Sequence, residues 1–161
     1  MGFLNTLGQL LTRDLTGRSW SREATHPYFE NLVYFGFKDE QKCYWESELL
    51  LPNGQGRIGV TMQGTKNGPT EAEVAFCRRT LSDLDGLFAK CRKAFEATYE
   101  PWVKAPMPAD WRSVMTLDGF WIPRDGDESN DWEVCYFVEP AQHYFTAVFR
   151  NGRVERVDVD G

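Results

Sequence analysis

Few residues of this chain have the chemistry of a catalytic or metal-binding group, and they are widely spaced. The chain has two histidines, His26 and His143, and four cysteines that form no C-x-x-C pair. His143 is the candidate general acid, general base or metal ligand, with Glu133 or an acid of segment 125–131 as its partner. No nucleophile occurs with an acid and a base at a spacing typical of a hydrolase. The sequence therefore favours a protein that is not an enzyme, and a hydrolase-like enzyme centred on His143 is the alternative.

Segment 125–131 concentrates side-chain oxygens in the sequence DGDESND. Oxygens are the ligands that Ca²⁺ prefers, but the segment lacks the mid-loop glycine and the terminal glutamate of an EF-hand loop, so we interpret it as an acidic turn. Carboxylates beside large aromatic side chains suit a basic protein partner, because charges steer the encounter and aromatic rings supply buried contact area. The alternative is that the flanking tryptophans are core residues beneath a solvated turn. The candidate partner-binding residues are Trp121, Asp125, Asp127, Asp131, Trp132 and His143.

A glycine-rich run matches a nucleotide-binding pattern by letter only. Residues 54–59 read GQGRIG, which fits G-x-G-x-x-G. In a dinucleotide site this loop leads into a helix whose N-terminus faces the pyrophosphate. The residues that follow here alternate as a strand, so we interpret the glycines as hairpin residues. No cofactor and no metal is predicted.

Composition restricts the class of partner. The 161 residues carry a formal net charge of -6, with a pI near 5.0, and are of a length typical of one domain. Nucleic-acid binding depends on Lys and Arg, so this balance favours a protein partner, possibly basic, over nucleic acid. No signal-peptide layout and no apolar run of membrane-spanning length occurs. We therefore expect a cytoplasmic protein with reduced, mostly buried cysteines and no stable membrane insertion.

The N-terminal segment is predicted to stand apart from the main domain. Its apolar residues recur at helical spacing and predict a short amphipathic helix, which a polar tether at 16–25 follows. We therefore divide the chain into a helix and tether over 1–27 and a single domain over 28–161. A structural subunit that this helix tethers to a larger assembly is a further alternative. The apolar residues are Phe3, Leu4, Leu7, Leu10, Leu11 and Leu15.

The remaining sequence predicts strands on either side of two consecutive helices. A capping box from Thr70 to Glu73 starts the first helix, and apolar residues at 3,4 spacing continue to Trp102. We expect a break within 82–86 and an end at Pro101 and the loop 106–108. The predicted strands are 28–37, 42–51, 57–62, 112–122, 132–138, 144–150 and 153–159.

The last two predicted strands form the clearest local motif. Asn151 and Gly152 suit the left-handed positions of a type I′ turn, which places Arg150 opposite Arg153. Continuing this register places Val148 opposite Glu155. The register assigns Tyr144, Thr146, Val148, Val157 and Val159 to one face, and Phe145, Ala147, Phe149 and Val154 to the other. Both faces are then substantially apolar, so we expect one to meet the helices and the other to meet something else.

The C-terminal residues also carry a family resemblance. The run Trp132–Tyr136, then His143, then the run Phe145–Val154 resemble the tail of small bacterial domains of unknown function. Some of those proteins are similar to immunity or accessory proteins encoded beside bacterial toxins. The resemblance implies a stoichiometric protein-binding module, possibly one that neutralises a toxin. The predicted fold is a single α+β domain with a largely antiparallel sheet, two consecutive helices packed on one face and a closing group of four strands.

Overall fold

A computed structural model describes residues 20–52, 54 and 56–161. These residues form one sheet of eight strands whose spatial order follows the chain. All neighbouring strands are antiparallel except β4 and β5, which are parallel. The α+β class with a largely antiparallel sheet is therefore confirmed. The strands are β1 (Trp20–Ala24), β2 (Glu30–Gly36), β3 (Tyr44–Leu50), β4 (Arg57–Gln63), β5 (Met115–Ile122), β6 (Trp132–Val138), β7 (His143–Arg150) and β8 (Arg153–Asp160).

Two helices, α1 (Glu71–Ser82) and α2 (Leu84–Val103), join β4 to β5. Parallel neighbours need a crossover connection of a dozen or more residues, and the helix pair supplies it. The Thr70 hydroxyl accepts from the Glu73 N–H at 3.2 Å, and the Glu73 carboxylate accepts from the Thr70 N–H at 2.7 Å. This capping box fixes the start of α1 and confirms the two-helix prediction. No helix in the described part of the chain is long and apolar enough to cross a membrane.

The break between the helices and the end of the second one have local causes. The Asp83 side chain accepts from the Gly86 N–H at 2.8 Å, which caps α2 within the predicted break. Pro101 was predicted to end the helix, but it lies inside the last turn. Its missing N–H costs the helix one hydrogen bond only, so α2 continues to Val103. The chain then leaves through Lys104 in the left-handed conformation, with φ of 61°.

The core lies between the helices and one face of the sheet, and aromatic side chains dominate it. Phe76, Phe88 and Phe95 of the helices are fully buried against sheet residues. Ring pairs across this layer include Phe76 with Trp132 at 5.3 Å and Phe88 with Tyr136 at 5.5 Å. The high aromatic content of the sequence therefore belongs largely to this layer. All four cysteines are free and buried.

The sheet begins earlier than the sequence indicated. Residues 16–25 were interpreted as a polar tether and the domain was placed from Tyr28, yet Trp20–Ala24 pair with β2 as an edge strand. Four of the five residues of β1 are exposed, so no alternation of apolar and polar residues marks the strand. Its backbone hydrogen bonds hold it in place, and the Trp20 ring packs on Tyr34 at 5.0 Å. The predicted N-terminal amphipathic helix lies outside the described residues.

The final hairpin corrects the predicted assignment of faces. Arg150 pairs with Arg153 across the Asn151–Gly152 turn as predicted, but Val148 pairs with Arg156 and not with Glu155. A β-bulge adds one residue to β8 at this point, and a shift of one residue moves every later side chain to the other face. Val157 and Val159 consequently pack against the core. The prediction for these two valines was wrong, and the face opposite the helices receives charged residues in their place.

Candidate functional site

The sheet face opposite the helices, called the open face below, carries an unusual set of side chains. The buried residues of both helices belong to the core on the opposite side of the sheet. The register aligns residues of neighbouring strands in rows across the sheet. One row consists of Val33, Glu46, Thr61, Trp121, Glu133, Val148 and Arg156. This row combines two carboxylates with a half-buried indole at the centre of the sheet.

The next row contains small side chains and forms a depression, called the central trough below. Gly59 and Gly119 are opposite each other on the parallel strands β4 and β5, and Cys135 and Thr146 continue the row. Trp121 and Glu133 border it on one side. Phe137 and Tyr144, whose rings lie 5.1 Å apart, border it on the other. The row crosses four strands, and a peptide segment lying across the sheet could contact all of them.

Carboxylates determine the electrostatics of the open face. Burial raises the pKa of Glu46 to about 7, and the described residues supply it with no ion pair or hydrogen bond. Burial also raises the pKa of Glu133, and the nearby Asp158 adds to the rise while Arg156 opposes it. The Arg156 guanidinium donates to Asp158 at 3.0 Å. A half-buried acid without a cation is held partly in its neutral form, and an incoming cation would favour its ionised form.

Two further polar groups on this face lack partners. The hydroxyls of Tyr44 and Thr61 are buried, and no hydrogen-bond partner is found for either among the described residues. Their residues are 2% and 1% exposed. Thr61 lies between Glu46 and Trp121, and the Tyr44 ring lies 6.3 Å from that of Trp121. Buried polar groups are normally hydrogen-bonded, so these two hydroxyls stand out among the polar groups of the open face.

The two tryptophans of the predicted partner site lie on opposite faces. Trp121 is half-buried on the open face, next to the trough. Trp132 is 2% exposed on the helix side and stacks on Phe149 at 3.9 Å. The alternative interpretation, a core residue, therefore holds for Trp132. Only Trp121 is placed where it could touch a partner.

The acidic segment 125–131 lies at the end of the helix layer. A Cβ on Gly126 would lie 2.4 Å from the Ala72 carbonyl oxygen, so the loop packs closely on the start of α1. Asp127 accepts from the Ser129 N–H at 2.9 Å, and Asp131 lies 3.4 Å from Arg150. Asp125, Asp127 and Asp131 are all exposed. The loop is thus an internally hydrogen-bonded acidic turn at the periphery of the sheet.

The structure does not bring His143 together with its candidate acids. His143 starts β7 on the helix side, opposite Val138, with its ring 4.9 Å from that of Trp102. Glu133 is on the other face and five residues from Val138 along β6, a distance of roughly 17 Å at about 3.4 Å per residue. Segment 125–131 precedes the far end of that strand. In the described part of the chain, His143 therefore lies next to neither of the acids that the hydrolase alternative gives it.

The other histidine is structural. His26 Nδ1 accepts from the backbone N–H groups of Tyr28 and Phe29, at 3.1 and 3.3 Å, and holds the turn between β1 and β2. Among the described residues, no group of three or more His, Cys, Asp and Glu side chains could hold a metal ion. The open face is therefore the candidate site that the described residues offer.

Sequence analysis missed the central residues Tyr44, Glu46 and Thr61, although a signal was present. In the run YWESELL, Tyr44 and two glutamates alternate with Trp45, Ser47 and Leu49, which places the acids on one face of a strand. The run was assigned to a strand, but its two faces were not separated. No protein-family model, curated protein or solved structure matches the chain.

Proposed function

We propose that this protein is a non-enzymatic binding module that takes a cationic segment of a protein partner on its open face, with one-to-one stoichiometry. One observation carries the proposal: Glu46 and Glu133 are half-buried carboxylates in one row with Trp121. With the resemblance of the C-terminal run to immunity-type domains, it supports a bacterial protein that neutralises a toxin by binding it.

The physical case depends on partial desolvation. An Arg or Lys placed beside Glu46 or Glu133 would meet a carboxylate that is already partly removed from water, where an ion pair is stronger than on an exposed surface. The indole of Trp121 supplies a face for a guanidinium and a large apolar contact area. These are the features of an interface centre, in which a few aromatic and charged residues carry most of the affinity.

The charge of the whole molecule supports the same class of partner. A net charge of -6 produces a field that speeds the approach of a basic protein. Asp125, Asp127 and Asp131 lie at the periphery, where charges influence the association rate more than the lifetime of the complex. The acidic segment is therefore proposed as a steering element beside the main contact surface.

Affinity capture from the native host with matched variants tests the proposal. The open-face variant carries Glu46→Gln and Glu133→Gln, and the loop variant carries Asp125→Asn, Asp127→Asn and Asp131→Asn. The captured partner, once purified, is titrated calorimetrically against each protein. We expect a one-to-one complex, and a loss of affinity of about tenfold or more for the open-face variant, since it removes two half-buried ion pairs.

The loop variant supplies the control. In stopped-flow mixing with the same partner, its association rate should fall and lose salt dependence, while its dissociation rate stays close to that of the wild type. Equal affinity of the open-face variant and the wild type would contradict the proposed surface. A captured molecule that is chemically converted, and not simply bound, would contradict a non-enzymatic role.

A further inference from the structure

The last strand of the sheet, β8, has a free edge. It pairs with β7 on one side, and no strand of the described residues pairs with its other side. Beyond the bulge next to the turn, residues 156–160 pair in unbroken register with residues 144–148. A free edge presents unpaired N–H and C=O groups, which natural sheets often block with proline or lysine. The 8 residues of β8 include neither, so this edge can accept a further strand.

The charges along β8 favour one particular strand. Arg156 and Asp158 lie on the open face, and their side chains are 50% and 45% exposed. Val157 lies between them on the helix side and packs against the core. Side chains that oppose each other in an antiparallel pair share a face of the sheet. A second copy of β8, placed with Val157 opposite Val157, therefore sets Arg156 of each copy opposite Asp158 of the other.

Other registers and the other edge lack this complementarity. Because opposing side chains share a face, two identical antiparallel strands must be centred on one residue. Centring them on Arg156 sets two arginines face to face, and centring them on Asp158 sets two aspartates face to face. On the edge strand β1, Arg22 and Glu23 are adjacent in sequence and lie on opposite faces, so they cannot oppose each other. The charge pattern of β8 therefore suits a second copy of β8 in one register.

The contact would extend an ion pair that a single copy already contains. The Arg156 guanidinium donates to both carboxylate oxygens of Asp158, at 3.0 and 3.1 Å. In the paired strands each arginine would lie between its own Asp158 and that of the other copy, so four charges would alternate in one cluster. An isolated exposed ion pair contributes little, whereas a network of several charges contributes more. Charge complementarity thus adds to the backbone hydrogen bonds of the new strand pair.

We propose that two copies of this chain associate through their β8 edges, antiparallel and centred on Val157, to form one continuous sheet. The two-fold axis is then perpendicular to the sheet, so both helix layers lie on one side and both open faces lie on the other. The association is independent of the proposed function, and each copy keeps an open face for one partner. The bulge at Glu155 shortens the regular contact, so we expect a weak, reversible dimer.

Sedimentation equilibrium of the full chain, at concentrations from about 1 μM to about 1 mM, tests the dimer without any partner. We expect the wild type to shift reversibly from 18.6 kDa to twice that mass as its concentration rises. Arg156→Asp and Asp158→Arg each set like charges opposite each other, and each should raise the dissociation constant by about tenfold or more. Arg22→Asp makes the same charge change as Arg156→Asp on the opposite edge strand, and it should leave the dissociation constant unchanged.

Two rescue experiments distinguish loss of pairing from loss of the fold. The double variant Arg156→Asp/Asp158→Arg restores unlike charges in the same register and should dimerise as the wild type does. An equimolar mixture of the two single variants should form a mixed dimer, because unlike charges oppose each other only between the two different chains. Each single variant alone should stay largely monomeric at the same total concentration.

Three results would overturn the inference. The first is a wild type that stays monomeric over the whole concentration range. The second is a dimer whose dissociation constant neither single variant changes. The third is failure of both the double variant and the mixture to dimerise, which would refute the register. None of these results bears on the capture experiment, since that experiment measures binding of a partner to the open face.

Discussion

Glu46→Gln should stabilise the protein at alkaline pH, although it removes a charge from the sheet. In the folded protein the pKa of Glu46 is about 7, against an ordinary value of 4.5, because burial disfavours the carboxylate. The folded state therefore holds a proton that the unfolded state has already lost, and stability falls as pH rises from about 4.5 to about 7. Glutamine is neutral at every pH and carries no such cost.

The expected gain follows from the difference between these two pKa values. At about 1.4 kcal/mol per pKa unit, a rise from 4.5 to about 7 corresponds to roughly 3 kcal/mol. The carboxylate keeps partial contact with water, so we reduce this to about 2 kcal/mol at pH 8. At pH 5 the folded wild type is largely protonated at this position, and the two proteins should differ little.

Urea unfolding at pH 5 and pH 8, for the wild type and two variants, measures the effect. Glu48→Gln is the matched control, because Glu48 is two residues along the same strand on the same face and lies 3.8 Å from Arg57. Removing that exposed pair should cost at most about 1 kcal/mol and give no gain at pH 8. If Glu46→Gln unfolds with the pH profile of the wild type, the carboxylate is already compensated by a cation and the argument for an unfilled cation site fails.

Four other substitutions test the packing and the site assignments. Trp132→Ala should lower the free energy of unfolding by about 3–5 kcal/mol in urea titrations, since the indole is buried in the core. Thr70→Ala should cost about 1 kcal/mol in the same assay through loss of the helix cap. Gly126→Ala should lower the melting temperature, because its φ is +66° and the new Cβ would meet the Ala72 carbonyl. His143→Ala should change the affinity for the captured partner, measured by calorimetry, by less than about twofold relative to the wild type, because the residue lies outside the interface centre. A hundredfold loss of affinity with an unchanged melting temperature would contradict this assignment.

Local signals predicted the fold where they were strong. The capping box at Thr70 and the Asn151–Gly152 turn each fix a backbone conformation by themselves, and both are found as predicted. The sequence did not reveal β1, because an exposed edge strand such as Trp20–Ala24 has no buried face to pattern it. The sequence also did not reveal the bulge in β8, which lies beyond the turn and brings Val157 and Val159 to the helix side.

The candidate site was harder to predict because it is assembled from five strands. Glu46, Trp121 and Glu133 become neighbours only through the parallel pairing of β4 with β5, which no local pattern encodes. Proximity in sequence favoured Trp121, Trp132 and the loop between them instead. The loop does connect the two strands, but the alternation of side chains and the length of the connection place the two indoles on opposite faces.

The parallel contact between β4 and β5 also divides the molecule into two folding units. Strands β1 to β4 form one meander and strands β5 to β8 form another, and each can fold from contacts between strands that are neighbours in sequence. Pairing β4 with β5 requires closure of a loop that contains both helices. The parallel contact between β4 and β5 is therefore expected to form late in folding and to open early in unfolding. Gly59 and Gly119 form part of this parallel contact. Any segment bound in the central trough would therefore contact both units and stabilise the folded domain.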